Sequence, residues 1–168
     1  MRFHLITVFA LSFFFPSLAY AAPKVESSII NSQGKKIGKA QFKENKEGLE
    51  MSVKVSGLTP GVHGMHIHDI GKCTAPDFKS AGPHFNPESK KHGKESPEGF
   101  HAGDLPNLVV AGNGRGKINV LIPGLSFKGK GAILKPGKTA IVIHAGPDDE
   151  KTDPSGNSGD RIACGVLG

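Results

Sequence analysis

The sequence predicts an all-β domain, a sandwich or barrel of short antiparallel strands. Apolar and polar residues alternate along several segments, most clearly from Leu49 to Val55, and an alternation with period two indicates a strand with one buried face. The chain has 23 glycines and 12 prolines, which is typical of many turns. After the N-terminal region there is no amphipathic helix pattern. Many short strands separated by turns therefore favour this fold class.

About eight strands follow from these patterns, each bounded by a turn signal such as Asn113-Gly114. We predict them near residues 25–30, 37–43, 49–55, 62–68, 108–111, 117–122, 140–144 and 161–166. Two long polar segments, 70–106 and 146–160, do not fit the strand rhythm. Because loops of this length in a compact domain are usually functional or disordered, and the first contains three histidines, we expect two long functional loops.

The N-terminus has the pattern of a secretory signal. Arg2 precedes an apolar run over residues 5–18, and Ala-Tyr-Ala follows at 19–21, as a signal peptidase site requires. The run is short for a membrane span, and a buried N-terminal helix is the alternative. We predict a signal peptide over residues 1–21 and one domain over 22–168. No second apolar stretch follows, and no cysteine lies near the cleavage site, so we expect no membrane anchor.

The chain is basic, with a formal net charge of +6. A basic surface can attract nucleic acid, a membrane surface or a small anion. The lysines are scattered along the sequence, and nothing resembles a nucleic-acid-binding motif. We therefore expect no nucleic-acid partner and a solvated role for most of the lysines.

Two cysteines, Cys73 and Cys164, lie far apart in the chain. In an oxidising compartment they can stay paired, and a disulfide closing so long a loop stabilises by roughly 4–5 kcal/mol in the chain-entropy model. Two free thiols or a cysteine metal site are the alternatives, although the spacing makes no CxxC motif.

A constellation of histidines points to metal binding. His66 and His68 are two residues apart on a predicted strand, so their rings share one face. His84, His92, His101 and Asp104 lie in the first long loop, and three imidazoles with a carboxylate fit a closed tetrahedral zinc site. His144 ends another predicted strand. This set is too large for one ion, so we expect two ions, with one shared histidine giving four ligands to each.

Five motifs resemble those of the copper/zinc superoxide dismutases, and their order and spacing agree across roughly residues 24–168. They are Gly64-Met65-His66-Ile67-His68, Gly82-Pro83-His84-Phe85-Asn86-Pro87, Lys91-His92-Gly93, His101-Ala102-Gly103-Asp104-Leu105 and Gly159-Asp160-Arg161-Ile162-Ala163-Cys164-Gly165. The resemblance implies a Greek-key β-sandwich or barrel. It also implies dismutation of superoxide to oxygen and hydrogen peroxide, with copper as the redox ion and zinc as a structural ion.

The resemblance also implies a role for each site residue. The copper ligands would be His66, His68, His84 and His144, and the zinc ligands His84, His92, His101 and Asp104. His84 would bridge the two ions and carry a proton during catalysis. Arg161 would dock the anion, Asp148 would orient one ligand histidine of each ion, and Cys73 and Cys164 would form the family's disulfide. By contrast, His63 is expected to be a structural histidine bonded to the backbone.

The chain departs from the family pattern in its second long loop. Pro154-Ser155 stand where the family has a Lys-Thr pair that helps to steer superoxide, and Lys151 is the nearest candidate to replace it. The signal and the short C-terminal end resemble exported bacterial members, so we predict the periplasm, with the extracellular medium as the alternative. The family resemblance allows a homodimer. An exported copper or zinc carrier on the same fold is the competing function.

Overall fold

Nine strands form one antiparallel sheet in the computed structural model, which describes residues 23–129, 131–135 and 137–168. The predicted signal peptide, residues 1–21, lies outside the described residues. The strands are β1 Lys24–Asn31, β2 Lys36–Glu44, β3 Gly48–Ser56, β4 Gly61–His63, β5 Met65–His68, β6 Leu108–Val110, β7 Arg115–Pro123, β8 Thr139–His144 and β9 Arg161–Leu167. A short 3-10 helix spans Lys79–Ala81. Within these ranges, none of the helices has the length and apolar character needed to cross a membrane.

The sheet curls into a nearly closed barrel. Its strand order is β4-β6-β7-β3-β2-β1-β9-β8-β5, and the two end strands, β4 and β5, are consecutive in the chain. The pairs β3–β4, β5–β6 and β7–β8 follow one another in sequence without pairing in the sheet. Such long-range connections between antiparallel strands give the Greek-key connectivity, so the predicted all-β class is confirmed.

The described part of the chain has nine strands, one more than the predicted number of about eight, because the segment predicted at 62–68 is split at Gly64. The N–H of Gly64 donates to the carbonyl of Gly146 at 2.7 Å, and its carbonyl accepts from the N–H of His144 at 2.9 Å. A Cβ on Gly64 would stand 2.7 Å from the Cβ of Ser158. The chain therefore passes close under the second long loop here and leaves β4 to begin β5.

The barrel interior is apolar. In β3 the predicted inward residues Leu49, Met51, Val53 and Val55 are each 5% exposed or less. They pack in one cluster with residues from the other strands and with Phe85 and Leu105 of the first long loop. The alternation seen in the sequence is thus confirmed as the division between core and solvent.

A second, smaller cluster fixes the first long loop to the outside of the barrel. Phe78 and Ala81 of this loop pack against Ala140 and Val142 of β8 and against Cys164 of β9. Cys73 and Cys164 form a disulfide with a Cα–Cα distance of 5.6 Å, which confirms the predicted pairing, and no cysteine is left free. The loop that carries most of the histidines is therefore held to the barrel wall at its start.

Candidate metal centre

Strand β5 places the first two imidazoles. Its side chains alternate, so Met65 and Ile67 enter the apolar core, while His66 and His68 point to the opposite face. Both histidines are nevertheless completely buried, because the first long loop covers them. Their ring centroids are 6.3 Å apart. The sequence expectation of two neighbouring rings on one face is confirmed.

Two further histidines join them from other elements. His84, in the first long loop, forms an isolated β-bridge with His68, and His144 ends β8, which pairs with β5. One ligand atom from each of His66, His68, His84 and His144 can be chosen so that all lie within 4.8 Å of one another. We refer to these four residues as the first group.

The first group has the donors of a metal site. Nδ1 of His66 and Nε2 of His68, His84 and His144 are buried and make no hydrogen bond within the described residues. A buried polar atom without a partner costs free energy, and such atoms are rare in folded proteins. Four of them converging on one point fit a metal ion that accepts their lone pairs.

The opposite ring nitrogens in the first group are held by fixed acceptors. Nδ1–H of His68 donates to the carbonyl of Gly82 at 2.8 Å, and Nδ1–H of His144 donates to the carbonyl of Gly159 at 3.0 Å. Each bond fixes the ring orientation and the tautomer, so the lone pair of the other nitrogen faces the centre. These backbone acceptors could not be identified from the sequence, because any residue supplies a carbonyl.

The second group gathers around the carboxylate of Asp104. Its Oδ1 lies 2.9 Å from Nδ1 of His84, 3.1 Å from Nδ1 of His92 and 3.2 Å from Nδ1 of His101. Tetrahedral ligands bound to zinc at 2.0–2.1 Å are separated by roughly 3.3 Å. The other oxygen, Oδ2, accepts the N–H groups of Gly93 and His101 at 2.9 and 3.1 Å. Oδ1 of Asp104 and the three Nδ1 atoms around it therefore fit a closed four-ligand site.

His84 belongs to both groups through different nitrogens. Nδ1 faces Asp104 in the second group, and Nε2 is one of the four unpartnered atoms of the first. A single imidazole thus joins the two candidate sites, which is the arrangement that the sequence analysis expects from the ligand count.

Asp148 connects the two groups a second time. Nε2–H of His66 donates to Oδ2 of Asp148 at 2.7 Å, and Nε2–H of His92 donates to Oδ1 at 3.0 Å. Asn107 holds the backbone of Asp148. The side-chain amide of Asn107 accepts from the N–H of Asp148 at 2.8 Å and donates to the carbonyl of Asp148 at 2.9 Å. No local pattern marks Asn107, which is one polar residue among many in the sequence.

Burial and charge divide the histidines into two kinds. Burial lowers the pKa of His68 to about 2, of His144 to about 3 and of His84 to about 4, so these rings are neutral near pH 7, the form that binds metals. Burial also disfavours the charged form of His92, but hydrogen bonds to Asp104 and Asp148 outweigh it and raise the pKa of His92 to about 9.

The two carboxylates respond in the opposite direction. Burial would raise the pKa of Asp104, but hydrogen bonds to His84 and His92 hold it well below the usual range. Bonds to His66 and His92 do the same for the pKa of Asp148. Both carboxylates therefore stay ionised near neutral pH and supply two negative charges beside the imidazoles.

An open cleft leads to the first group. It encloses about 470 Å³ and is bordered by His84, His144, Arg161, Lys79 and Pro154-Ser155. The guanidinium of Arg161 is fixed by donating to the carbonyls of Phe78 at 3.0 Å and Gly82 at 2.8 Å. Lys151 is exposed and is not one of the described residues that border the cleft. Among the described residues, the lysine at the entrance is Lys79, which no motif in the sequence marks.

The predicted structural role of His63 is confirmed. Its two ring nitrogens lie 2.7 Å from the carbonyl of His144 and 2.8 Å from the carbonyl of Thr59. Apart from Lys151, the structure brings the other predicted site residues together: in the two groups, at Asp148 between them, at the cleft or in the disulfide. Which ion each group holds is taken up below as a proposal.

Comparison with known proteins gives one family. A family model described as copper/zinc superoxide dismutase (SODC) matches residues 36–167. Superoxide dismutase (Cu-Zn) 1 of Aquifex aeolicus is 48% identical over 147 residues, which cover 86% of this chain and 87% of that protein. The superoxide dismutase-like protein YojM of Bacillus subtilis is 45% identical over 144 residues, which cover 83% of this chain and 73% of that protein.

Solved structures give the same result. A SOD-like protein from Bacillus subtilis superimposes with a TM-score of 0.82 at 43% identity, covering 84% of this chain and 97% of that one. The Cu/Zn superoxide dismutase from Brucella abortus superimposes with a TM-score of 0.71 at 28% identity, covering 87% of this chain and all of that one.

Asp148→Asn should weaken metal binding without removing a ligand. A neutral amide oxygen is a weaker acceptor than a carboxylate, and it cannot accept from both His66 and His92 as Asp148 does. We expect the zinc affinity of the metal-free protein to fall roughly 10- to 100-fold, as for other outer hydrogen-bond partners of metal ligands. Competition with a chromophoric chelator measures it. Asp149→Asn is the matched control, because Asp149 bonds Thr152 and Asn157 instead of a ligand ring; equal affinities in the two variants would contradict the role.

Proposed function

Since the chain belongs to the copper/zinc superoxide dismutase family, we propose that it dismutes superoxide to oxygen and hydrogen peroxide at the joined histidine groups. One observation carries the proposal. Four buried ring nitrogens without partners converge at the end of an open cleft that also contains a fixed arginine. Unsatisfied donors for a metal ion and a cation for a small anion are the two requirements of this reaction.

We assign copper to His66, His68, His84 and His144, and zinc to His84, His92, His101 and Asp104. Imidazole ligands suit copper, and copper supplies the one-electron redox cycle when it is bound. Three histidines and a carboxylate with no open position are typical of structural zinc. The cleft is bordered by His84 and His144, whereas His92, His101 and Asp104 are not among the described residues that border it, which supports this order of the ions.

Arg161 is the proposed docking residue for superoxide. Burial lowers its pKa from the ordinary value, but an arginine side chain stays charged at any physiological pH. Its guanidinium and the Nδ1–H of His68 donate to the same carbonyl, that of Gly82. The cation is therefore fixed relative to the first group, and it attracts and orients an anion that enters the cleft.

His84 is the proposed proton donor. Its Nδ1 is held near Asp104 at 2.9 Å, so only Nε2 faces the first group. A proton held at Nε2 of His84 lies on the cleft side of the ring and can be transferred to the peroxide product. Asp148 keeps His66 in place on the other side, so the geometry persists when His84 changes its protonation state.

A metal carrier is the competing function, since one relative is named only as superoxide dismutase-like. A carrier needs accessible ligands that can pass the ion on. In the described part of this chain both cysteines are locked in a disulfide, and all four residues of the first group are at least 93% buried. A fixed arginine at the cleft has no purpose in a carrier, so these features favour the enzyme.

Export is part of the proposal. We propose that residues 1–21 are a secretion signal and that the domain from residue 22 acts in the periplasm, without a membrane anchor. The disulfide between Cys73 and Cys164 supports an oxidising compartment. The intact mass of protein recovered from the periplasmic fraction should correspond to a chain beginning at Ala22, and the mass of the full chain there would contradict cleavage. The homodimer allowed by the family resemblance stays a prediction.

Replacing His144 should abolish the activity. His144→Ala removes one of the four donors and opens the first group to water, so we expect copper to be lost and activity to fall by roughly 100-fold or more, beyond the usual loss for an outer partner. Superoxide consumption and bound copper are measured on protein reconstituted with both ions. His63→Gln is the control, a buried histidine outside both groups whose ring nitrogens bond the backbone carbonyls of His144 and Thr59, and it should retain copper. Fully metallated wild-type protein without activity would favour the carrier.

Lys79, rather than Lys151, should assist substrate capture. Lys79 borders the cleft, although Asp77 lies 3.6 Å from its ammonium group and offsets part of its charge. Lys79→Gln should lower kcat/KM by roughly two- to fivefold at low ionic strength, and the difference should shrink as salt screens the charge. Lys151→Gln is the matched control and should have little effect. Pulse radiolysis at several salt concentrations measures both variants, and a larger effect at Lys151 would reverse the assignment.

A further inference from the structure

A row of lysines crosses the outer surface of the barrel. Lys39 of β2 lies directly opposite Lys54 of β3, and Lys54 lies directly opposite Lys117 of β7. Lys54 and Lys117 are exposed and Lys39 is half-buried, while their neighbours Ala40 and Val53 face the core. Three cations on adjacent strands, spaced about 5 Å apart in the sheet, therefore share one solvent face.

Two more cations complete this surface. Lys36 and Arg115 border the same shallow depression, of about 600 Å³, as the three lysines. We call these five residues the basic strip. Lys39 is paired with Glu26 at 3.3 Å, but the other four make no ion pair within the described residues. Four uncompensated positive charges are thus concentrated on one small area.

Such an arrangement does not favour folding. Like charges directly opposite one another on neighbouring strands destabilise a sheet, and two such pairs occur here in one row, Lys39 with Lys54 and Lys54 with Lys117. Because stability does not explain the basic strip, an anionic partner that offsets the repulsion is the physical alternative.

The row continues into an apolar pair. Val62 of β4 and Val109 of β6 lie opposite each other and are 42% and 65% exposed. Strand β6 is the neighbour of β7, with Val110 opposite Gly116, so Val109 is on the strand next to Lys117 and Val62 is on the strand beyond it. Five cations beside two exposed branched apolar side chains form an amphipathic surface.

We propose that this surface docks the protein on an anionic phospholipid membrane. The basic strip would contact phosphate groups, to which lysine and arginine near a membrane are attracted, and the valine pair would enter the interfacial region. The strip lies on the outer face of a sheet and contains no aromatic side chain, so it lacks the stacking platform typical of proteins that bind single-stranded nucleic acid. A purely ionic partner would leave the exposed valines unexplained.

Docking on this side leaves the metal centre accessible. Strand β3 is fourth in the strand order. Strand β8, which carries His144, is eighth, and β5, which carries His66 and His68, is ninth. In a nearly closed barrel this separation places β3 and β8 on opposite walls. A protein bound through the basic strip therefore turns the cleft with Arg161 away from the membrane and towards the solution.

Vesicle flotation of the disulfide-bonded protein loaded with copper and zinc tests the proposal. Binding should occur to vesicles with about one-third phosphatidylglycerol, be absent on pure phosphatidylcholine and disappear at high salt. Lys54→Gln with Lys117→Gln should lower the partition coefficient by roughly 25-fold, since each cation near an anionic membrane contributes about fivefold. The matched control is Lys72→Gln with Lys94→Gln, two exposed lysines outside the basic strip, which should change it less than twofold.

A second pair of variants separates the membrane from other occupants. Val62→Ser with Val109→Ser keeps every charge, and it should weaken vesicle binding several-fold. Unchanged binding would indicate a soluble polyanion and overturn the proposal, as would equal losses in the two lysine pairs. Sedimentation of the wild-type protein and the valine variant tests whether a second copy of the chain is the occupant. A dimer that dissociates only in the valine variant would assign this face to self-association and overturn the proposal. The lysine variant should unfold at no lower temperature than wild type, since it relieves repulsion.

Discussion

The central constraint on this structure is the burial of six imidazoles, each of which presents two polar nitrogens. A buried nitrogen without a partner costs free energy, so each of these nitrogens needs a partner, either a protein acceptor or an ion. Backbone carbonyls hold His68 and His144, and Asp148 holds His66 and His92. The opposite nitrogens of these four rings make no hydrogen bond within the described residues and are left to the ions. The positions of both long loops follow from this requirement, because they bring the acceptors.

Close approach of the loops to the barrel depends on a few glycines. A Cβ on Gly103 would stand 2.3 Å from the carbonyl oxygen of Ile67, and the N–H of Ile67 donates to the carbonyl of Gly103 at 2.8 Å. Gly93 has a positive φ and would place a Cβ 1.9 Å from the carbonyl oxygen of Glu150. The first loop can therefore lie directly on β5 and against the second loop. Side chains at these positions would separate the ligands from one another.

The charges of the molecule are divided between two walls of the barrel. Near the metal centre, Asp104 and Asp148 compensate the imidazoles, and Arg161 and Lys79 are the cations at the cleft. On the other wall, the basic strip has one acidic partner in the described chain, Glu26. A net charge of +6 therefore does not describe a uniformly basic surface. The surface combines two cations at the cleft, suited to a small anion, with a separate area suited to a larger anionic surface.

Local patterns in the sequence determined much of this protein. Alternation of apolar residues defined most strands, because a strand with one buried face requires it. Residue types and spacing also defined the histidine set, since His66 and His68 share a face for purely local reasons. The break at Gly64 does not follow from these patterns, because it depends on hydrogen bonds to Gly146 and His144, which lie far along the chain. The sequence also contained the cysteines and the arginine that the motifs single out.

Tertiary structure alone decided what depends on long-range register and loop closure. The carbonyls of Gly82 and Gly159 orient ligand rings, yet every residue has a carbonyl, so nothing in the sequence marks them. Asn107 and Lys79 gain their roles only because loops distant in sequence meet. The lysines appear scattered along the chain, and strand pairing places Lys39, Lys54 and Lys117 in one row. A sequence records residue type and local period, whereas proximity between distant segments is set by the packing of the whole barrel.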